Sequence, residues 1–212
     1  MRTTLTWRVP QLVVGLLLYG ASDALLVRAG LGLDPWTSLH QGLSERIGLV
    51  TNLVGLVVLL LWLPLRRRPG VGTVANVALV GTAMDAALAV LPTPHALGVR
   101  VPLLLAGVLL NALATATYVG AGLGSGPRDG LSLGLADRGL TLWRVRTTIE
   151  VGVLVTGVLL GGSAGVGTVV YAVAIGPLVH RLLPVLSVPA QTGGANPEPV
   201  LAEPPVCGTA AG

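Results

Sequence analysis

Lysine and phenylalanine do not occur in this chain, and cysteine occurs once, at Cys207. A single cysteine excludes an intramolecular disulfide and any CxxC metal or redox motif. Its place, sixth from the end of the sequence, does not fit a prenylation box. Aromatic residues are scarce, with four Trp and three Tyr among 212 residues, so stacking on nucleic-acid bases has little to work with. Charge is scarce too. Only 10% of residues are charged, where a soluble domain carries roughly 25%, and that leaves too little polar side chain to coat a globule in water. A net charge of +4 and a pI near 10.2 raise the question of a nucleic-acid partner. All thirteen basic residues are Arg, however, and most stand at the ends of apolar runs rather than in one patch. No nucleic-acid partner is expected.

Signatures of catalysis are also missing. His40, His95 and His180 are scattered, with no HExxH string and no cysteine partner, so no metal site is expected. Gly122-Leu123-Gly124-Ser125-Gly126 has the glycines of a phosphate loop without the GK[ST] ending. Those glycines better suit a sharp chain break. The chain reads as a protein that is not an enzyme and carries no cofactor.

What the chain does have is apolar sequence, 52% of all residues, with a mean hydropathy of +0.81. A hydrocarbon core of ~30 Å needs about 20 apolar residues in a helix. Six runs meet or approach that length: Val9–Val27, Leu49–Leu65, Val71–Leu91, Val101–Val119, Thr147–Leu160 and Val166–Leu186. The expected surroundings are therefore a lipid bilayer. Arg2, Arg8, Arg66 to Arg68, Arg128, Arg138, Arg144, Arg146 and Arg181 fall on one side of these spans, and only Arg28, Arg46 and Arg100 on the other. By the positive-inside rule both termini are cytoplasmic. Residues 1–186 form the membrane domain. Residues 187–212, rich in Pro, Gly and Ala with no apolar period, read as a disordered cytoplasmic tail.

The domain repeats itself. Ala29-Gly30-Leu31-Gly32-Leu33-Asp34-Pro35-Trp36 recurs as Ala121-Gly122-Leu123-Gly124-Ser125-Gly126-Pro127-Arg128, and Pro69-Gly70-Val71-Gly72-Thr73-Val74 recurs as Ala164-Gly165-Val166-Gly167-Thr168-Val169. Two matches in the same order, displaced by 92 and then 95 positions, define repeats of about 9–91 and 101–186. Each repeat reads as a long helix, a glycine-rich break, a short helix, a second span, a GVGT turn and a third span. The fold class is thus an all-α membrane protein of six transmembrane helices. Three spans per half is an odd number, so the halves face opposite ways, as in the inverted repeats of many secondary transporters. The short helices begin at Pro35, capped by Asp34, and at Pro127 after Gly126. Trp36, Leu39, Leu43 and Ile47 fall on one face of the first. About twelve residues reach only ~18 Å, so these helices are expected to be interfacial or re-entrant.

Ionisable groups within spans are costly and default to functional candidates. Asp23, Asp85 and Glu150 qualify. Arg28 is near enough to neutralise Asp23, and Arg146 precedes Glu150 by four residues, which suits a pair along one helix face. Arg128 and Asp129 stand at a helix start, where outward N–H groups favour an anion; the plainer reading has them neutralise each other at headgroup level. With Asp85, Asn111 and Tyr118 they make up the candidate substrate-binding set. A proton acting through Asp85 or Glu150 is the coupling ion these groups would offer.

Five strings, AGLGLDPW, RRRPGVGT, YVGAGLGSGPRDGLSLGLA, RTTIEV and GGSAGVGTVVYAVAIGP, together resemble the YczE-like bacterial membrane proteins, which are related to the broader YitT group. The resemblance runs over roughly residues 10–182. It implies a multi-pass protein of the bacterial cytoplasmic membrane with no catalytic residue to carry over. Pro35, Trp36, Pro127, Arg128, Asp129, Arg146 and Glu150 match the family's pattern. The functional expectation is a small-molecule transporter or permease, for a small solute or anion. The alternative is a scaffold assisting another membrane complex, or a homo-oligomer, since Gly152, Gly157, Gly161 and Gly162 favour close helix contacts.

Overall fold

The computed structural model describes residues 2–66 and 68–188. Among them the regular elements are all helices: α1 (Arg2–Ala29), α2 (Pro35–Leu43), α3 (Ile47–Leu60), α4 (Trp62–Leu65), α5 (Val71–Val90), α6 (Leu97–Gly120), α7 (Pro127–Ala136), α8 (Leu142–Leu159) and α9 (Val166–Leu186). Beyond Val188, the tail expected from the sequence lies outside the described residues.

Among the described residues, five helical segments are long and apolar enough to cross a membrane: Thr6–Ala29, Ile47–Leu65, Val71–Val90, Leu97–Gly120 and Val166–Leu186. The remaining expected span, Thr147–Leu160, falls in α8, whose 18 residues include Arg144, Arg146 and Glu150. Those three charges share one 18-residue stretch, whereas each of the other five segments holds an 18-residue window with no more than two. Outward faces are apolar, with Leu53, Leu56, Val57 and Leu60 exposed on α3 and Leu105, Leu109 and Leu113 on α6. Soluble monomers rarely expose such contiguous surface, and here it suits lipid.

Helix α1 packs against both α5 and α6, and α6 also packs against α9. Contacts between α1 and α6 run in opposite directions. The Gln11 amide donates to the Thr117 carbonyl, the Asn111 amide donates to Asp23, and Arg100 donates to the Ala29 carbonyl. The two helices are therefore antiparallel. Two buried clusters hold them. Leu12, Leu16, Tyr118 and Ala121 gather around Val80, while Leu104, Val108, Leu26 and Ala29 gather with Leu33. Adding 92 to Leu12, Leu16, Leu26 and Ala29 gives Leu104, Val108, Tyr118 and Ala121. The same four positions thus serve twice, with their helices exchanged.

The glycine-rich breaks and the GVGT turns explain why both strings recur. Gly72 N–H donates to the Leu123 carbonyl at 2.8 Å, and Gly167 N–H donates to the Leu31 carbonyl at 2.8 Å. The Thr73 hydroxyl donates to the Ser125 carbonyl, and the Thr168 hydroxyl to the Leu33 carbonyl, each at 2.7 Å. Each turn binds the break of the other half. Gly32 and Gly124 adopt φ of 119° and 136° within these breaks, a region that L side chains rarely enter.

Helix α2 departs from its expected face. It ends at Leu43, and Ile47 opens α3 instead of extending the stripe. Trp36, Thr37, Ser38 and His40 are buried, while Leu43 is exposed. An interfacial helix turns its polar side chains to water; α2 buries them against the bundle.

Candidate functional site

The site is built where the first turns of α2 and α7 meet. At the start of α2, Asp34 is extended and Pro35 takes the first helical position; the Asp34 Oδ1 accepts from Trp36 N–H at 3.1 Å and Thr37 N–H at 3.2 Å. That is the cap expected from the sequence. Gly126 holds the same place before α7 with the same extended backbone, but it has no side chain to cap with. The Trp62 indole donates to the Pro127 carbonyl at 3.0 Å and lies so close to Gly130 that a Cβ there would strike its ring. This pins the beginning of α7.

From that first turn Arg128 reaches across. Its Nη1 lies 3.8 Å from the Asp34 Oδ1, and its guanidinium carbon lies 4.8 Å from the Trp36 ring centroid. A cation over an indole face is an attractive contact in its own right. Asp34 is almost fully buried, whereas the Arg128 side chain keeps 26% exposure. The second carboxylate oxygen, Asp34 Oδ2, is buried without a hydrogen-bond partner.

Polar groups of three other helices surround the pair. Tyr19 of α1 and Tyr118 of α6 meet edge to face, 5.9 Å between centroids. The Asn111 amide donates to Ser22 Oγ and to Asp23 Oδ1, each at 2.9 Å, and its carbonyl oxygen accepts from the Tyr171 hydroxyl at 3.0 Å. Arg128 is electrostatically coupled to Tyr19, Asp34, Asp23 and Glu150. The Thr51 hydroxyl of α3 lies 2.8 Å from His40 Nδ1 of α2 and 2.9 Å from the Ile47 carbonyl. Among the described residues no group of three or more His, Cys, Asp or Glu side chains is placed to hold a metal ion.

The candidate residues separate. Arg128, Tyr118 and Asn111 line this centre, and Asp129 borders it. Asp85 does not: its Oδ1 accepts Gly48 N–H at 2.9 Å, supplying the cap that Arg46 leaves missing at the start of α3. Nor does Arg28 neutralise Asp23. It donates to Thr93 Oγ1 and to the Leu88 carbonyl. Arg146 turns to Asp129 at 3.4 Å instead of to Glu150, so Arg128 and Asp129 each pair with a different helix. From the sequence, Asp34 is a cap, and Trp36 belongs to the apolar face of the short helix and to the motif. Both break the repeat, standing where the second half has Gly126 and Arg128, and that was the signal for them. Tyr19, Ser22 and Tyr171 carried none. Gly130-Leu131-Ser132-Leu133-Gly134 has GxSxG spacing, yet Ser132 lies inside α7 and donates to the Arg128 carbonyl. A nucleophile elbow needs a strand before that turn, and none of the described residues supplies one.

These features define a multi-pass helical membrane protein with a polar centre between its helices. The chain belongs to the family described as "Family of unknown function (DUF6198)", whose model matches residues 6–184. It is 37% identical over 194 residues to an uncharacterized protein of Haemophilus influenzae, covering 87% of this chain and 89% of that one. It is 30% identical over 175 residues to the uncharacterized membrane protein YczE of Bacillus subtilis, covering 80% and 81%. A further similarity, 28% over 182 residues, is to the Bacillus subtilis protein YyaS, covering 82% and 90%. No solved structure matches. The YczE-like resemblance read from the motifs is borne out.

Proposed function

We propose that this chain is a small-molecule transporter or permease of the bacterial cytoplasmic membrane, for a solute bearing an anionic group, bound between the N-termini of α2 and α7. The observation that carries this reading is the contact of Arg128 with Asp34 and Trp36. Helices α1 and α6 are antiparallel, so the breaks that follow them begin at opposite ends of the bundle. For residues 34 and 128 to meet, both breaks must turn back inward. Five extended residues reach roughly 17 Å, about half of a ~30 Å core. The short helices are thus re-entrant, and α8 completes six spans arranged as two inverted repeats. Its Arg146 faces Asp129, and its Glu150 is coupled to Arg128 rather than turned to lipid. Discontinuous helices whose positive N-terminal ends face a mid-membrane site are the recurring binding device of inverted-repeat transporters. Here α7 has no side-chain cap, so its first N–H groups and Arg128 are available to an anion. Transport rather than catalysis is the activity this arrangement serves.

The topology is tested by replacing Cys207 with Ser and labelling single cysteines, Ser44→Cys and Ala136→Cys, with an impermeant reagent. Labelling from opposite faces is expected; labelling of both from one face sinks the inversion. The function is tested by screening small carboxylates and other anions for thermal stabilisation, followed by flux in proteoliposomes. A solute at 100 times its Kd stabilises the fold by about 2.7 kcal/mol, and Arg128→Gln is expected to abolish both that gain and the flux. A screen without stabilisation or flux would count against transport.

A further inference from the structure

The two halves differ most at the loop that leads into each GVGT turn. In the second half this loop is shut. Its Ser163 N–H donates to Gln41 Oε1 at 2.8 Å, its Ser163 carbonyl accepts from Leu33 N–H at 3.2 Å, and a Cβ on Gly162 would strike the Ser38 carbonyl. Helix α2 fills the space. In the first half the matching loop borders a cleft of about 530 Å³ whose walls include Trp62, Arg66, Arg68, Thr73 and Ser125. The positions matching Arg66 and Arg68, 95 residues on, are Gly161 and Ser163.

Arg66 is held at some cost. Its φ is 55°, and it is the one non-glycine with positive φ among the described residues, where its counterpart Gly161 has φ of 97°. A left-handed conformation is less favourable for a residue with a Cβ than for glycine, so a guanidinium stands where glycine would serve the backbone better. Among the described residues no carboxylate forms an ion pair with Arg66 or Arg68. The cleft also lies where the apolar segments Ile47–Leu65 and Val71–Val90 end, which is the level of lipid headgroups.

From these observations we infer that the cleft, lined also by Ser125, is a binding site for a phosphate-type oxyanion gripped by Arg66 and Arg68. Arginine suits this ligand because its planar fork matches phosphate oxygens two at a time. The site is separate from the one at Arg128, and it holds whether or not the protein transports a solute. Two sources offer the same chemistry: the headgroup of an acidic phospholipid and free phosphate.

The test uses the full-length protein in a neutral detergent and follows its unfolding temperature. Inorganic phosphate is titrated against chloride at matched ionic strength, and micelles doped with phosphatidylglycerol are compared with micelles doped with phosphatidylcholine. Saturating ligand is expected to raise the unfolding temperature by roughly 5 °C. A shift with phosphatidylglycerol alone assigns the site to a lipid headgroup, and a shift with inorganic phosphate assigns it to the free oxyanion. The double variant Arg66→Gly, Arg68→Ser copies the second half and removes the left-handed strain. Without ligand it should unfold no lower than the parent, and with ligand it should not respond. Arg46→Ser, at the start of α3, should respond as the parent does. Equal shifts in the parent and the double variant, or no shift in the parent with either ligand, would overturn the inference.

Discussion

Thr73 and Thr168 each give a 2.7 Å hydrogen bond to a carbonyl in the other half's break, but the residues just past those breaks are unlike. Asp34 and Trp36 lie beyond the first, Gly126 and Arg128 beyond the second. Where the halves agree, the shared residues bond to the backbone of the other half's break or fill the two exchanged clusters. Where they disagree, the unlike residues find each other: Arg128 contacts both Asp34 and Trp36. Agreement builds the frame and disagreement builds the site.

The largest effect is expected from breaking the frame. Gly32→Val forces a branched side chain to φ of 119°, where its Cβ also meets Gly165 N at 2.6 Å. Gly124→Val does the same at 136°, against the Thr73 hydroxyl at 2.8 Å. Each is expected to cost on the order of 3 kcal/mol and to show as a collapse in folded yield from membranes. Parent-like yield of either variant would mean that its break is not a strained, shared element. A smaller and more discriminating loss is expected from Thr73→Val and Thr168→Val, about 1 kcal/mol each. Thermal unfolding in detergent should give the two the same value, and a clear difference would show that the halves are not energetically equivalent. Arg128→Gln acts on the site itself. It leaves Asp34, almost fully buried, without its counter-charge, so the unfolding temperature should fall, although Asp34 keeps its two backbone N–H bonds. The same substitution removes the proposed anion site, and stabilisation by anions should be lost with it.

Much of the frame was legible because apolar runs and glycine strings are local patterns. The α2 and α7 starts at Pro35 and Pro127, and the cap at Asp34, follow from side-chain chemistry within three residues. The partners of charged groups were not legible. Asp23 was matched to Arg28 and Glu150 to Arg146 because each pair is close in sequence, and both were displaced by partners on other helices: Asn111 for Asp23, and Asp129 for Arg146. The face of α2 misled for a related reason. A stripe of Trp36, Leu39 and Leu43 marks a buried side only if the outside is water; with lipid outside, Leu43 turns outward and Ser38 and His40 turn in.

The crossed bonds between turns and breaks also set an order of events during synthesis. The Leu33 carbonyl waits for Thr168, 135 residues later, and at 5–20 residues per second the ribosome needs roughly ten seconds to deliver it. Throughout that interval the loop carrying Asp34 lacks its fastening, although the helices on either side of it have been made. The last helix to emerge is therefore the one that locks the first loop. A nascent chain stalled before α9 would leave the loop carrying Asp34 without its hydrogen bond from Thr168.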